Sequence, residues 1–416
     1  MKKKDIIKQL NQNKIKLYEI EKYTDHNKAI EIRREYIADL INAKLDSLSK
    51  FPFSPKKIYG RNCENVIGGA CLPIGIAGPM TVKGNHANGE YLIPLATTEG
   101  ALVASVNRGS KIIRESGGAT VTSKYVGITR APLFRVKNIK EASKFEKWFK
   151  DNFKKIKKVG DQTDKYLTIK EYEFYSNGKN IWIRFVFDTG DAMGMNMAVI
   201  ATKKICSWIE TEYKGIKTIA ISGNMCIDKK PAYINTIKGR GRIVEAEVTV
   251  PQNIVKKYLK SNPEDILEVN KNKIWLGGQM AGSFGFNAHA ANMLAAIFIA
   301  TGQDPAQVVG GSLASLNMEK NKEGLYIHTR IPSLNIATVG GGTTLATQNE
   351  CQKIILSNIS KNLKEKEEKE INLTQKLAEI IGTAVLAGEI SLHAAFASRT
   401  FVKAHKDLGR CKLNKK

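Results

Sequence analysis

Residues 166–188, YLTIKEYEFYSNGKNIWIRFVFD, decide how this chain is built. Two runs rich in β-branched and aromatic residues, around 166–175 and 180–188, flank Ser176-Asn177-Gly178. Asparagine and glycine both tolerate positive φ, so the stretch reads as a β-hairpin. Upstream, APLFRV (131–136) reads as a short strand. Phe145, Trp148, Phe149, Phe153 and Ile156 then form an apolar stripe on a lysine-rich helix. Downstream, a helix over about 193–213 carries Met197, Ile200, Ile205, Trp208 and Ile209, and IKTIAIS (216–222) closes the unit as a strand. The order β-α-β-β-α-β predicts a ferredoxin-like unit over residues 131–222.

The flanking segments, 59–130 and 223–416, are richer in glycine and form one large domain in this reading. TTEGALVASVNRGSKIIRE (97–115) places Leu102, Val106, Gly109 and Ile113 on one helical face. RIVEAEVTV (242–250) alternates like a strand, and NAHAANMLAAIFIATGQ (287–303) reads as a buried helix. Residues 1–58 read as N-terminal helices, stopped by FPFSP at 51–55. The expected class is α+β: a large mixed domain with a central buried helix, interrupted by the ferredoxin-like insert, with helices in front.

Composition narrows the function. Hydrophobic residues make up 42% and charged residues 25% of 416, which excludes wholesale disorder. The longest apolar run, Met293 to Ala300, falls far short of the roughly 20 residues of a membrane helix, so no membrane partner is expected. The N-terminus lacks the apolar core of a secretion signal, and the six cysteines are scattered without a C-x-x-C pair. Both features point to a reducing cytoplasm and away from a structural metal. The net charge of +25 raises nucleic acid as a partner, yet only 13 of the 65 basic residues are arginine. With no recognition-helix or RNA-binding pattern, a lysine-rich surface is the better reading. Service to phosphate-rich small molecules is a third.

Single motifs remain ambiguous. GGGTTL (340–345) lacks the last glycine of a dinucleotide fingerprint. TVGGG can be a flexible turn or a backbone that approaches a pyrophosphate. ISGNMCIDKKP (221–231) sets two lysines beside an aspartate and a serine, which suits a carboxylate and a polarised carbonyl, or a solvated loop. Glu99 and Asp304 each sit at a helix start, where acids cap or complement the dipole. His405 is a lone histidine on an amphipathic helix. His289 and Asn292 share one face of an apolar helix and need partners there.

Taken together and in order, these segments carry a resemblance. ENVIGG (64–69), PIGIAGP (73–79), ATTEGALVASVNRG (96–109), ITRAP (128–132), GDAMGMNM (190–197) and ISGNMCIDKKPAYIN (221–235) resemble the signature segments of hydroxymethylglutaryl-CoA reductases. NAHAAN (287–292), FIATGQDPAQ (298–307), TVGGGT (338–343) and AGEISLHAAF with FVKAHK (387–406) continue it, over roughly residues 59–411. The likeness is to the class shared by eukaryotes and archaea.

The resemblance implies reduction of hydroxymethylglutaryl-CoA (HMG-CoA) to mevalonate by two hydrides, with release of CoA. It implies that Lys229 stabilises the developing oxyanion, Glu99 supplies a proton, Asp304 links the two, and His405 protonates the CoA thiolate. Arg130, Ser222, Asp228, Lys230, Lys273 and Asn292 match the substrate-binding positions, and Asn107 and Arg108 match those for CoA. Asp191, Met193, Gly194, Asn196 and the turn Val339, Gly340, Gly341, Gly342 match the segments that hold NADPH. Asp164 and Lys165 stand where relatives place a small hydroxyl residue and an arginine for the 2′-phosphate, so NADH is the alternative cofactor. The resemblance further implies a homodimer or dimer of dimers with shared active sites. A mobile flap is expected over about the last 40 residues.

Overall fold

The computed structural model describes residues 1–360 and 372–404. Its strands are β1 (Ile74–Gly84), β2 (Asn88–Ala96), β3 (Ala119–Arg130), β4 (Leu133–Arg135), β5 (Thr168–Asn177), β6 (Asn180–Asp188), β7 (Lys217–Ala220), β8 (Gly241–Pro251), β9 (Ser315–Lys320) and β10 (Gly324–Leu334). Within residues 131–222 the neighbours are β7-β4-β6-β5, all antiparallel, with the helices Ile139–Asp161 and Met195–Glu212 between strands. This is the ferredoxin-like order, and Phe145, Phe149, Ile156, Ile181, Ile183, Phe185, Ile205 and Ile209 fill its own core. The hairpin turn differs from the sequence reading by one residue. Asn177 still pairs with Asn180, and Gly178 alone takes the left-handed conformation, at φ 61°.

The insert is not hung on a loop. Ile128 faces Phe187 and Leu133 faces Trp182, so one antiparallel register runs from β3 through Ala131-Pro132 into β4. Because β3 also pairs with β8, which pairs with β10, the small and large sheets are one continuous ten-stranded surface among the described residues.

The centre of the large core is the helix Leu373–Ala397, which packs on β3, β8 and β10 and against the helices Leu102–Glu115 and Ala290–Thr301. By length and composition it is apolar enough to cross a bilayer, yet it is buried inside the protein. It also carries Lys376, Glu379, Glu389 and His393, all buried. Glu379 accepts the N–H groups of His86 and Ala87 at 2.9 and 2.7 Å and the Ser123 hydroxyl at 2.9 Å, which locks the β1–β2 turn onto the helix. This corrects the expected 40-residue flap over 377–397, where a segment with this much burial is scaffold; its last part, 405–416, lies outside the described residues. At the crossing with Leu102–Glu115, a Cβ on Gly109 would lie 1.9 Å from the Ala387 carbonyl oxygen, so only glycine permits the approach.

The N-terminal helices Lys3–Asn11 and His26–Ile41 enclose a small cluster of Ile6, Leu10, Ile20 and Ile32. Buried Arg33 pairs with Glu21 and donates to the Leu17 carbonyl, and Arg34 donates to the carbonyl of Ile67 at 3.2 Å, tying these helices to the ENVIGG segment.

Candidate active site

Strand alternation builds the first half of the site. Since β6 sends Ile181, Ile183, Phe185 and Phe187 into the small core, Trp182 and Arg184 occupy the opposite, helix-free face. The loop after β7 rests there. Trp182 Nε1 donates to the Gly223 carbonyl at 2.8 Å, Thr129 Oγ1 to the Cys226 carbonyl at 2.8 Å, and Asn235 Nδ2 to the Ile227 carbonyl at 3.1 Å. Those bonds hold a costly backbone. Asn224, Ile227 and Lys229 have φ of 69°, 42° and 58°, and a β-branched residue in that region is a genuine outlier. Such strain costs on the order of 1–3 kcal/mol per residue and persists only where surrounding contacts over-determine it.

The strained loop presents two charges to two places. The Asp228 carboxylate meets Arg240 at 3.1 Å, Gln307 Nε2 at 3.0 Å and Arg130 at 3.9 Å. Arg240 is fully buried; desolvation pushes its pKa down, opposed by the Asp228 charge. Next to it, Lys229 Nζ lies 2.8 Å from Asp304 Oδ2 and stays half exposed. Lys230 Nζ donates to the Asp228 carbonyl at 3.2 Å, and Ser222 Oγ lies 3.2 Å from Cys226 Sγ. This arrangement can neutralise a carboxylate and hold an ammonium where a carbonyl oxygen gains charge.

A second group lines a cavity of about 410 Å³ bounded by Glu99, Arg108, Lys273, His289, Asn292 and Phe396. Asn292 Nδ2 donates to Glu99 Oε1 at 3.4 Å, and Lys273 Nζ sits 5.0 Å from the centre of the Phe396 ring. Arg108 is drawn inward: Nε donates to Ser391 Oγ at 3.0 Å and Nη2 to the Ser391 carbonyl. Burial lowers the pKa of its guanidinium. Asn107 remains exposed and accepts the Gly78 N–H at 3.1 Å.

The two segments matched to the dinucleotide also meet. Thr338 N donates to the Asp191 carbonyl at 3.1 Å, and Thr374 Oγ1, at the start of the core helix, donates to Asp191 Oδ1 at 2.6 Å and touches Thr338 Oγ1 at 2.7 Å. Met193 packs on the small core, Gly194 (φ 78°) precedes the helix Met195–Glu212, and Asn196 is exposed. Beside them Val339 is exposed, and Gly340 and Gly341 have φ of 76° and 53° with, among the described residues, no atom beyond their chain neighbours within 4 Å of where a Cβ would stand. That bare, open backbone suits the close approach of a pyrophosphate. Gly342 instead packs against the Gly302 backbone. Thr168 pairs with Asp188, so the Asp164–Tyr166 turn lies at the same end of the small sheet as Asp191. In that turn Asp164 Oδ1 accepts the Tyr166 N–H at 2.8 Å, and Lys165 Nζ lies 4.6 Å from the Tyr166 ring centre.

Four of these neighbours escape a sequence reading. Arg240 and Gln307 surround Asp228, Trp182 seats the loop, and Glu389 holds the NAHAAN segment by accepting the N–H groups of Ala288 and His289. Gln307 is three residues after Asp304 and was the most accessible clue; a buried arginine between two glycines offers none. His405 lies outside the described residues. No hydrogen bond or ion pair joins the Glu99 group to the Lys229 group among the described residues.

The comparisons with known proteins converge. The family model described as hydroxymethylglutaryl-coenzyme A reductase matches residues 29–410, which extends the likeness into the N-terminal helices. The chain is 44% identical to the 3-hydroxy-3-methylglutaryl-coenzyme A reductase of Methanocaldococcus jannaschii, covering 98% of this chain and 99% of that protein. It is 46% identical to the Aeropyrum pernix reductase, over 92% and 90%. Against reductase 1 of Dictyostelium discoideum it is 39% identical, over 99% of this chain and 74% of that one. Among solved structures, a Streptococcus pneumoniae class II reductase bound to NADPH has the same fold, with a TM-score of 0.63 at 18% identity, covering 92% of this chain and 100% of that one. Full-length likeness at this level, on a chain that sets a lysine–aspartate pair beside an arginine-bound aspartate, leaves one reading: the protein is a member of the hydroxymethylglutaryl-coenzyme A reductase family, an oxidoreductase.

Proposed function

We propose that the chain reduces HMG-CoA to mevalonate in two steps with NADPH, at a site completed by a second copy of itself. The observation that carries this is the 2.8 Å Lys229–Asp304 pair, held half exposed by the strained loop. Both reduction steps develop negative charge on the substrate oxygen. Lys229 stabilises it, and Asp304 aims the ammonium. Glu99, oriented by Asn292, delivers the proton that converts the oxyanion to an alcohol. His405 protonates the departing CoA thiolate, a task that suits an imidazole near neutral pH.

Arg130, Ser222, Asp228 and Lys230 hold the hydroxymethylglutaryl part from one side, and Lys273 and Asn292 from the other. Asn107 and Arg108 lie toward CoA. Asp191, Met193, Gly194, Asn196 and the 339–342 turn would hold NADPH, which supplies the hydride when bound. Support for the shared site comes from two features. No hydrogen bond or ion pair joins the Glu99 and Lys229 groups among the described residues, and Leu72, Ile74 and Ile76 form an exposed apolar stripe at alternate positions at the start of β1. The scattered free cysteines support a cytoplasmic setting.

NADH remains a second reading because Asp164 and Lys165 replace the usual phosphate-binding pair. Absorbance loss of NADPH and of NADH, each followed with HMG-CoA, tests both. No oxidation of either cofactor would overturn the proposal; faster turnover with NADH would overturn its cofactor.

A further inference from the structure

His289 makes two contacts that fix which of its nitrogens carries a proton. Its Nε2 lies 2.9 Å from the Gly388 carbonyl oxygen, which can only accept, so Nε2 holds a hydrogen, and in the neutral ring Nδ1 then presents a lone pair. Asn292 Nδ2 lies 3.5 Å from that Nδ1 and 3.4 Å from Glu99 Oε1. A bare Nδ1 forces Asn292 to turn its NH₂ group toward both His289 and Glu99. Its carbonyl oxygen is then left for another partner. The two Asn292 contacts are long for hydrogen bonds, as active-site contacts often are before substrate closes them.

The backbone under His289 is clamped with equal care. Glu389, fully buried on the core helix, accepts the His289 N–H with Oε1 and the Ala288 N–H with Oε2, both at 2.8 Å. Asn287 donates to the carbonyls of Ser312 and Ala314 at 3.0 and 2.8 Å, and its Oδ1 accepts the Ala290 N–H at 3.0 Å. A buried carboxylate with each oxygen bonded to a peptide N–H fixes the turn and the backbone from which the imidazole projects. Charged and titratable groups around the ring are Glu99, Arg108 and Lys273 on the cavity side and Glu389 and His393 on the core helix.

We propose that His289, held as its Nε2–H tautomer by the Gly388 carbonyl, is a positioning residue that aims the Asn292 amide at Glu99 and so leaves Glu99 Oε2 free to carry the transferred proton. This rests on the reductase reading for its kinetic consequence, though not for its geometry. The kinetic test compares His289→Leu, His289→Gln, Asn292→Ala and the His289→Leu/Asn292→Ala double variant, with HMG-CoA and with mevaldehyde. His289→Leu should lower kcat about tenfold on both substrates with little change in the KM for NADPH, the scale of losing one orienting hydrogen bond. His289→Gln should recover most of that loss, because its amide can donate to Gly388 and accept from Asn292. In the Asn292→Ala background, His289→Leu should have no further effect. Effects that multiply in the double variant, or a His289→Gln as slow as His289→Leu, would overturn the proposal. Nitrogen-15 NMR of histidine-labelled protein, with His289→Gln used for assignment, reads the tautomer without any turnover. A protonated Nε2 and a bare Nδ1 are expected; the reverse assignment rejects the proposal even if the chain proves inactive as a reductase.

Discussion

Asp304 divides its carboxylate between two partners: Oδ2 lies 2.8 Å from Lys229 Nζ, while Oδ1 accepts the Ala306 N–H at 3.1 Å and caps the short turn that follows. Capping and ion pairing are therefore one arrangement. The cap fixes the carboxylate, and the fixed carboxylate sets where the ammonium points. Lys229 reaches it from a left-handed backbone that lysine adopts only under constraint.

Lys229→Ala should abolish turnover of both HMG-CoA and mevaldehyde while leaving the fold intact. Loss of a positioned oxyanion donor costs about 3–4 kcal/mol of transition-state stabilisation, whereas a half-exposed pair of this kind contributes about 1 kcal/mol or less to folding. Steady-state kinetics and a thermal melt separate the two. Mevaldehyde reduced at the parent rate would remove Lys229 from the oxyanion role.

Thr374→Val deletes the 2.6 Å bond to Asp191 Oδ1 without changing side-chain shape. The KM for NADPH should rise by about tenfold or more, the scale of one hydrogen bond to a charged group, with the KM for HMG-CoA unchanged. A change confined to HMG-CoA would mean that Thr374 does not serve the dinucleotide segment.

At the end of the small sheet opposite the hairpin, Lys165→Ala should weaken the preference for NADPH over NADH, and Asp164→Ser should strengthen it. A 2′-phosphate carries nearly two negative charges, so a neighbouring carboxylate opposes it and an ammonium favours it. The ratio of kcat/KM for the two cofactors is the measurement, and an unmoved ratio in both variants means this pair does not read the 2′ position.

His393 predicts a pH dependence of stability. Burial holds its pKa below the ordinary histidine value against the raising effect of Glu389, and its Nε2 has no hydrogen-bond partner among the described residues. Between that depressed value and about 6.5 the unfolded chain binds the extra proton, so stability falls as pH drops through this window and is complete above it. Urea unfolding at pH 7 and pH 5 should show a smaller acid loss for His393→Met than for the parent. Equal losses would place the acid sensitivity elsewhere.

Gly109→Ala puts a methyl group 1.9 Å from the Ala387 carbonyl oxygen, backbone against backbone. Neither helix can rotate away without opening the core, so destabilisation of about 3 kcal/mol or more is expected from the urea midpoint. Ala104→Gly, on the exposed face of the same helix, should cost only about 1 kcal/mol.

The ferredoxin-like unit was legible because its signals are local. Strand alternation in 180–188, the aromatic stripe of 145–156 and the Asn-Gly turn each report a period that side-chain burial imposes on neighbours in the chain. The motif segments likewise named Glu99, Lys229 and Asp304 before any coordinates. What the sequence could not say is which residues meet across distance. Helices are legible from about 373 onward, but the central position of Leu373–Ala397 is not, because Lys376, Glu379, Glu389 and His393 interrupt its apolar pattern, and only tertiary structure supplies the peptide N–H groups that bond Glu379 and Glu389 in the core. That one helix touches Asp191 through Thr374 and Arg108 through Ser391, positions about 25 Å apart along its axis. Asp191 follows Arg108 by 83 residues, whereas a periodicity argument sees only residues one turn apart. Long-range pairing of buried polar groups is decided by the packed core, where each unmet donor or acceptor costs enough free energy to select one arrangement over all others.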